Sequence, residues 1–314
     1  MPSQLLDDLN EPQRQAVVHS GTPLLVVAGA GSGKTRVLTR RIAYLMAERN
    51  AAPTEILAIT FTNKAANEMK ERVAHMVGPK ARSMWVSTFH SACVRILRNE
   101  AKRLNLKPSF TIYDTQDSVR MLSLVSKDLG IDPKSYSPKY LLGQISNLKN
   151  ELIDYEDAIS KAVTAQEQTV AQAYGEYQRR LMLASAVDFD DLIGHTVALL
   201  QAFPDVAEHY HRRFRHVLVD EYQDTNHAQY VLIRELVGNG KDGITPAELC
   251  VVGDADQSIY AFRGANIRNI VEFERDYSDA KTVVLEQNYR STQNILTSAN
   301  SVIEKNSGRP AKRL

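Results

Sequence analysis

An apolar run, Leu24-Leu25-Val26-Val27, leads directly into AGAGSGKT at Ala28 to Thr35, and few folds accept that order. The run has the length and branching of a buried strand. After the loop, Arg36 to Ala47 carries apolar residues at helical spacing. Strand, glycine-rich turn and helix are the context a phosphate-binding loop requires. Gly29, Gly31 and Gly33 allow a tight turn that aims backbone N–H groups inward, with Ala30 and Ser32 between them. The helix start adds free donors and partial positive charge. Lys34 would reach the β and γ phosphates of ATP, the Thr35 hydroxyl would hold Mg²⁺, and Arg36 follows at the helix start. Ala28 stands where the strict loop pattern has glycine.

With 314 residues the chain has room for about two domains. Its 43% hydrophobic and 24% charged residues are ordinary for a soluble globular chain. The net charge of +1 hides an asymmetry: residues 28–107 hold 15 Lys and Arg against 5 Glu and no Asp. Such a basic lobe points to a polyanion partner beyond one nucleotide. The two cysteines, Cys93 and Cys250, are far apart, so buried free thiols are expected rather than a disulfide. No leader or membrane-length apolar stretch is visible, so the expected location is the cytoplasm, with no membrane partner.

In LNEPQRQAV, Pro12 suits a first helical turn and Asn10 a cap. Gln13 offers a donor and an acceptor together, which matches the edge of adenine. The strand ILAITF ends in Thr62-Asn63-Lys64 before a helix, and Met84-Trp85-Val86-Ser87 ends in Thr88-Phe89-His90-Ser91 before another. Both place polar donors at the carboxyl edge of a sheet, where ligands of open α/β sheets bind. Phe61 could stack on a base there, and phosphates of a bound strand suit the donors. From about 110 to 185 the pattern is mostly helical and shows no catalytic constellation. The strand ending at Val219 delivers Asp220 for Mg²⁺ and Glu221 for the attacking water. Gln223, Asp224 and Thr225 extend that polar edge. His209, His211 and His216 are expected at the surface. After the strand at Leu249, Gln257 could sense the γ-phosphate, and Tyr260, Phe262 and Arg263 offer stacking faces and a cation. Arg290 could supply charge to a transferring phosphoryl group.

Seven segments in this order resemble the motifs of superfamily 1 DNA helicases of the UvrD/PcrA/Rep group. LNEPQRQAV is similar to the Q motif, AGAGSGKT to motif I, ITFTNKAANEM to motif Ia and VSTFHS to motif Ib. LVDEYQDTN resembles motif II, VVGDADQSIYAFRGA motif III and LEQNYRST motif IV. Motif I of this group usually begins with Ala, so Ala28 fits the resemblance.

The resemblance implies an α/β fold: a RecA-like parallel sheet flanked by helices, with an inserted all-helical subdomain. It places the first motor domain at 1–109 and 186–279, the insertion (1B) at 110–185, and the start of a second motor domain at 280–314. Gln13 would read adenine, with Tyr289 packing near the base and Arg290 on the γ-phosphate. Phe61, Thr62, Asn63, Thr88, His90, Tyr260, Phe262 and Arg263 would line the DNA path, Phe262 replacing the group's more usual Trp. The implied activity is an ATP-driven 3′ to 5′ motor on single-stranded DNA that opens ss/ds junctions, with DNA-repair proteins as partners. The chain is expected to be an amino-terminal fragment that lacks unwinding activity, since motifs V and VI are absent from it. Two alternatives are a nucleotide-gated DNA- or partner-binding module and a subunit of a RecB- or AddA-type helicase–nuclease.

Overall fold

The computed structural model of the chain describes residues 4–257, 273 and 275–303. Tyr260, Phe262 and Arg263 lie outside the described residues. The chain divides into two compact units, Met1–Phe89 with Asp205–Thr225 and Ile233–Leu314, and His90–Pro204 with Asn226–Leu232.

Helix α1 (Glu11–Val18) starts at a capping box in which the Asn10 side chain accepts from the Gln13 N–H and the Gln13 side chain accepts from the Asn10 N–H. Strands and helices then alternate: β1 (Leu24–Ala28), α2 (Lys34–Ala47), β2 (Ile56–Thr60), α3 (Asn63–Val77) and β3 (Trp85–Thr88). Alternation of this kind builds a parallel sheet with helical crossovers. Helix α4 (Phe89–Glu100) carries the chain into the second unit.

The second unit contains β4 (Thr111–Ile112), α5 (Thr115–Asp128), α6 (Pro138–Asn150), α7 (Tyr155–Lys161), α8 (Ala165–Leu183), β5 (Ala186–Val187) and α9 (Phe189–Ala202). Its core gathers Leu122, Val125, Leu141, Ile145, Tyr177 and Leu181 where α5, α6 and α8 meet. Strands β4 and β5 pair in parallel, a small departure from a purely helical insertion.

The chain returns through α10 (Pro204–Arg213), β6 (His216–Val219), α11 (His227–Val237), β7 (Glu248–Gly253), β8 (Lys281–Leu285) and α12 (Gln293–Ile303). The sheet of the first unit has the order β3-β2-β6-β7-β1-β8, and every pairing is parallel. Strands β1 and β2 are buried at every position, as expected when both faces are covered. The parallel arrangement puts every strand's carboxyl end on one edge, so the segments after β1, β2, β3, β6, β7 and β8 emerge together.

The second unit runs over His90–Pro204 and Asn226–Leu232, a wider stretch than the 110–185 expected for the insertion. Helices α4 and α9 belong to that unit, and an amphipathic pattern does not say whether a helix covers a sheet or other helices. Strand β8, expected to open a second motor domain, pairs along β1 with Ala28 opposite Leu285. Of the three histidines, only His209 is exposed. His211 is buried between the Asp242 carboxylate and the Glu235 carbonyl, and the half-buried His216 faces Glu248 at 3.6 Å. Both cysteines are free and buried.

The second unit is pinned by a buried ion cluster. Lys149 Nζ of α6 donates to Asp188 Oδ2 and Asp191 Oδ1, each at 2.7 Å. Asp188 and Asp191 also form the capping box of α9. The Tyr177 hydroxyl donates to Asp188 Oδ2 at 3.1 Å and Gln178 Nε2 to Asp191 Oδ1 at 3.2 Å. Burial alone would lower the Lys149 ammonium; Asp191 and then Asp188 outweigh it, so its pKa ends raised and the charge is kept. Removing one member of such a cluster leaves uncompensated buried charge. Lys149→Met is therefore expected to destabilise the second unit by about 3–5 kcal/mol. Hydrogen exchange should show faster opening of α6, α8 and α9. The deficit should shrink as pH falls, because protonating Asp188 and Asp191 removes the buried charge.

Candidate nucleotide and nucleic-acid site

The loop after β1 turns on two glycines. Gly31 has φ +77° and Gly33, the N-cap of α2, has φ +95°, both in the region L side chains rarely adopt. Ala28 is the last residue of β1 and lies in register with Leu285, so it needs no glycine freedom. Ser32 is fully buried, and its N–H and Oγ both donate to the Gly29 carbonyl, at 3.2 and 2.8 Å. No side chain caps α2, which leaves its first-turn N–H groups facing the loop interior as an anion would need.

The acidic half comes from the end of β6. The Asp220 N–H continues the ladder to the Ile59 carbonyl at 2.9 Å. The next residue, Glu221, turns sharply with φ +50°, an uncommon value for a non-glycine. That turn throws its carboxylate across to the loop: Lys34 Nζ donates to Glu221 Oε2 at 2.7 Å. Asp220 stays behind, 7% exposed. Burial first, and then the neighbouring Glu221, push its carboxyl up to about 6 against the pull of Lys34.

A hydrogen-bonded circuit joins this pair to the segment after β7. Gln223 Nε2 donates to Glu221 Oε2 at 2.9 Å, and Gln223 Oε1 accepts from the Asp254 N–H at 2.9 Å. Asp254 in turn accepts from the Gln257 side chain, and Gln257 Oε1 stands 3.5 Å from Lys34 Nζ. Lys34, Asp220, Glu221 and Gln257 are thus assembled in one place, although the sequence separates Lys34 from Glu221 by 187 positions. Asp254 went unmarked in the sequence. Its signal is its position directly after the buried strand β7, the same place Asp220 holds after β6.

The turn after β8 closes over the loop. The Tyr289 N–H donates to the Gly31 carbonyl at 2.9 Å, and the Tyr289 hydroxyl accepts from Asn10 Nδ2 at 2.9 Å. Arg290 packs so closely that a Cβ on Gly31 would meet its Cβ at 2.6 Å. Gln13 is fully buried, and both ends of its amide are engaged: Oε1 accepts from Asn10 N–H and Nε2 donates to the Ser32 carbonyl at 2.9 Å. In this arrangement Gln13 supports the loop from beneath.

Among the residues expected on a DNA path, Phe61, Thr62, Asn63 and Thr88 lie at the same carboxyl edge, after or at the ends of β2 and β3. Phe61 is half-buried and meets Phe89 edge-on at 5.7 Å, while Thr62 caps α3 by accepting from Ala65 N–H. His90 belongs to the second unit, where its ring meets Phe189 edge-on at 5.6 Å and burial lowers its pKa.

Gly31 gives the sharpest test of the loop geometry. Gly31→Ala forces an L side chain into φ +77°, at about 1–2 kcal/mol, and into contact with Arg290. Binding of a fluorescent ATP analogue should weaken at least about 10-fold, while Ala28→Gly should change it little, since residue 28 is ordinary strand.

Residues 9–278 match the UvrD/REP helicase N-terminal domain family. The chain is 68% identical to ATP-dependent DNA helicase UvrD1 of Mycobacterium tuberculosis (strain ATCC 25618 / H37Rv) over 99% of its length. It is 65% identical to UvrD1 of Mycobacterium leprae (strain TN) and 51% identical to ATP-dependent DNA helicase PcrA of Bacillus subtilis (strain 168), again over 99% of its length. In each case it spans 41% of the relative. With its loop, acidic pair and parallel sheet in place, the chain belongs to the UvrD/REP helicase N-terminal domain family.

Proposed function

We propose that this chain is the ATP-binding motor portion of a DNA helicase that moves 3′ to 5′ along single-stranded DNA and opens ss/ds junctions. The observation that carries the reading is the Lys34–Glu221 contact of 2.7 Å at the carboxyl edge of the sheet. Lys34 is held there by a single carboxylate oxygen, an arrangement that a triphosphate can displace. Phosphates entering the loop would draw the ammonium to themselves and free Glu221 to take a proton from the attacking water. Gln257 reports on the same exchange, because it borders Lys34 and is tied through Asp254 and Gln223 to Glu221. Arg290 adds positive charge over the loop.

The residues present fit a divalent cation. Asp220 is a buried carboxylate, raised to about 6 by burial and then by Glu221, and its oxygens are the kind of ligand a hard divalent cation takes. Asp220 and Thr35 would hold Mg²⁺, which when bound neutralises charge on the phosphates. Gln13 would read an adenine edge with the second N–H and second lone pair of its amide, while its present bonds keep supporting the loop.

We assign residues at the carboxyl ends of β2 and β3 to the DNA backbone and bases, Phe61, Thr62, Asn63 and Thr88, with His90, Tyr260, Phe262 and Arg263 completing the path. Residues 110–185 are read as the 1B insertion and 280–314 as the start of a second motor domain. The named helicase relatives favour a motor over a passive binding module or a helicase–nuclease subunit. The cytoplasm is the compartment this reading implies, and DNA-repair proteins are the partners it implies; no helix among the described residues is long and apolar enough to cross a membrane.

The test separates binding from chemistry. Lys34→Ala should weaken ATP binding about 100-fold or more, since a charge-assisted contact to phosphate is lost. Glu221→Gln should keep binding and lower hydrolysis by about 10²–10⁴-fold in the whole protein. Oligonucleotide affinity should fall with salt at a slope of about −0.7 per phosphate contacted. Wild-type nucleotide binding by Lys34→Ala would refute the reading.

A further inference from the structure

We propose that Asn288 is a positioning residue that sets the phosphate cradle. Its one amide holds the loop on one side and the backbone carrying Arg290 on the other. The proposal rests on the reading of this loop as the ATP phosphate site. Asn288 Nδ2 donates to the Ala30 carbonyl at 2.5 Å, a contact between residues 258 positions apart. Asn288 Oδ1 accepts from the N–H groups of Arg290 at 2.8 Å and Ser291 at 2.9 Å. The adjacent Tyr289 N–H takes the next loop carbonyl, that of Gly31.

Two consecutive loop carbonyls are therefore fixed from the β8 side. A trans peptide is planar, with its N–H opposite its C=O. Holding the Ala30 carbonyl toward Asn288 points the Gly31 N–H away from it, toward the other side of the loop. An inward-facing N–H is what a phosphate oxygen requires, and a donor fixed beforehand spares the ligand the cost of ordering it. The approach is close enough to exclude any side chain on Gly31: a Cβ there would stand 3.0 Å from Asn288 Oδ1 and 2.6 Å from the Arg290 Cβ. Loop glycine and clamp are thus two halves of one fit.

A carboxamide is the group this position calls for, because it donates and accepts at once. Aspartate would keep the acceptor for Arg290 and Ser291 but set a negative oxygen against the Ala30 carbonyl. Alanine would lose both halves. Neither change removes a group expected to touch the nucleotide, and Asn288→Asp keeps the acceptor that places Arg290, so a loss of affinity in Asn288→Asp acts through the loop.

The experiment uses the 314-residue chain, selectively ¹⁵N-labelled at glycine, with N-methylanthraniloyl-ATP and Mg²⁺ as the probe. Asn288→Asp, which retains the turn, is the principal variant, and Asn288→Ala the second. Each should weaken probe binding about 10-fold, the scale of a lost buried hydrogen bond and a freed loop. Each should also move the Gly31 amide resonance before nucleotide is added, which a merely structural role would not single out. Lys34→Ala is measured alongside. Loss of binding in Lys34→Ala with wild-type affinity or an unmoved Gly31 resonance in Asn288→Asp overturns the clamp and leaves the phosphate site standing. Wild-type binding by Lys34→Ala refutes the phosphate site and the clamp with it.

Discussion

One ion pair organises this molecule: Lys34 at the start of α2 against Glu221 at the end of β6, 2.7 Å apart. Strands β1 and β6 are not neighbours; β7 lies between them. For the two side chains to meet, the sheet must be parallel, in register, and open at one edge. The buried runs of β1, β6 and β7 supply the first two conditions through burial on both faces. The third follows from parallel topology, because every crossover starts at the same edge. The positive φ of Glu221 then completes the reach, at the local cost a non-glycine bears in that conformation.

The same chemistry appears a second time with a different consequence. Lys149 also lies between lysine-matched carboxylates at 2.7 Å, but its side chain is 4% exposed and both partners are comparably buried. Two carboxylates, a tyrosine hydroxyl and a glutamine amide close that cluster, so no ligand can enter and no bond is free to exchange. At Lys34 a single carboxylate holds the ammonium, and the Glu221 side chain is 37% exposed. Exposure, more than pairing, separates an ion pair that pins helices from one that is open to exchange.

Much of this was legible because it is local. Glycines before Lys-Thr, apolar runs ending in acidic residues, and Asn10 before Pro12 each encode their geometry within a few positions. Ala28 was readable as a departure, and its explanation came from register: it is strand, opposite Leu285, rather than loop. What stayed hidden depends on residues far apart in the chain. Gln13 reads only as an amide matched to an adenine edge until the Ser32 carbonyl is placed against it. His211 looks like a surface histidine until Asp242 and the Glu235 carbonyl enclose it. The placement of α4 and α9 in the second unit depends on which partner their apolar faces meet, and periodicity is silent on that.

The site's remaining members are connected in a way that bears on coupling. Gln223 is 1% exposed and bridges Glu221 to Asp254, while Asp254 accepts from Gln257, which borders Lys34. A change at Lys34 therefore disturbs both ends of one closed circuit: directly at Glu221, and through Gln257 at the segment following β7. That segment leads straight toward Tyr260, Phe262 and Arg263 in the sequence. Strand β7 is fixed by its ladders to β1 and β6, so the circuit can yield only at its loop side. A displacement of the Lys34 ammonium would thus be felt first at Gln257, which borders it and is tied to Asp254.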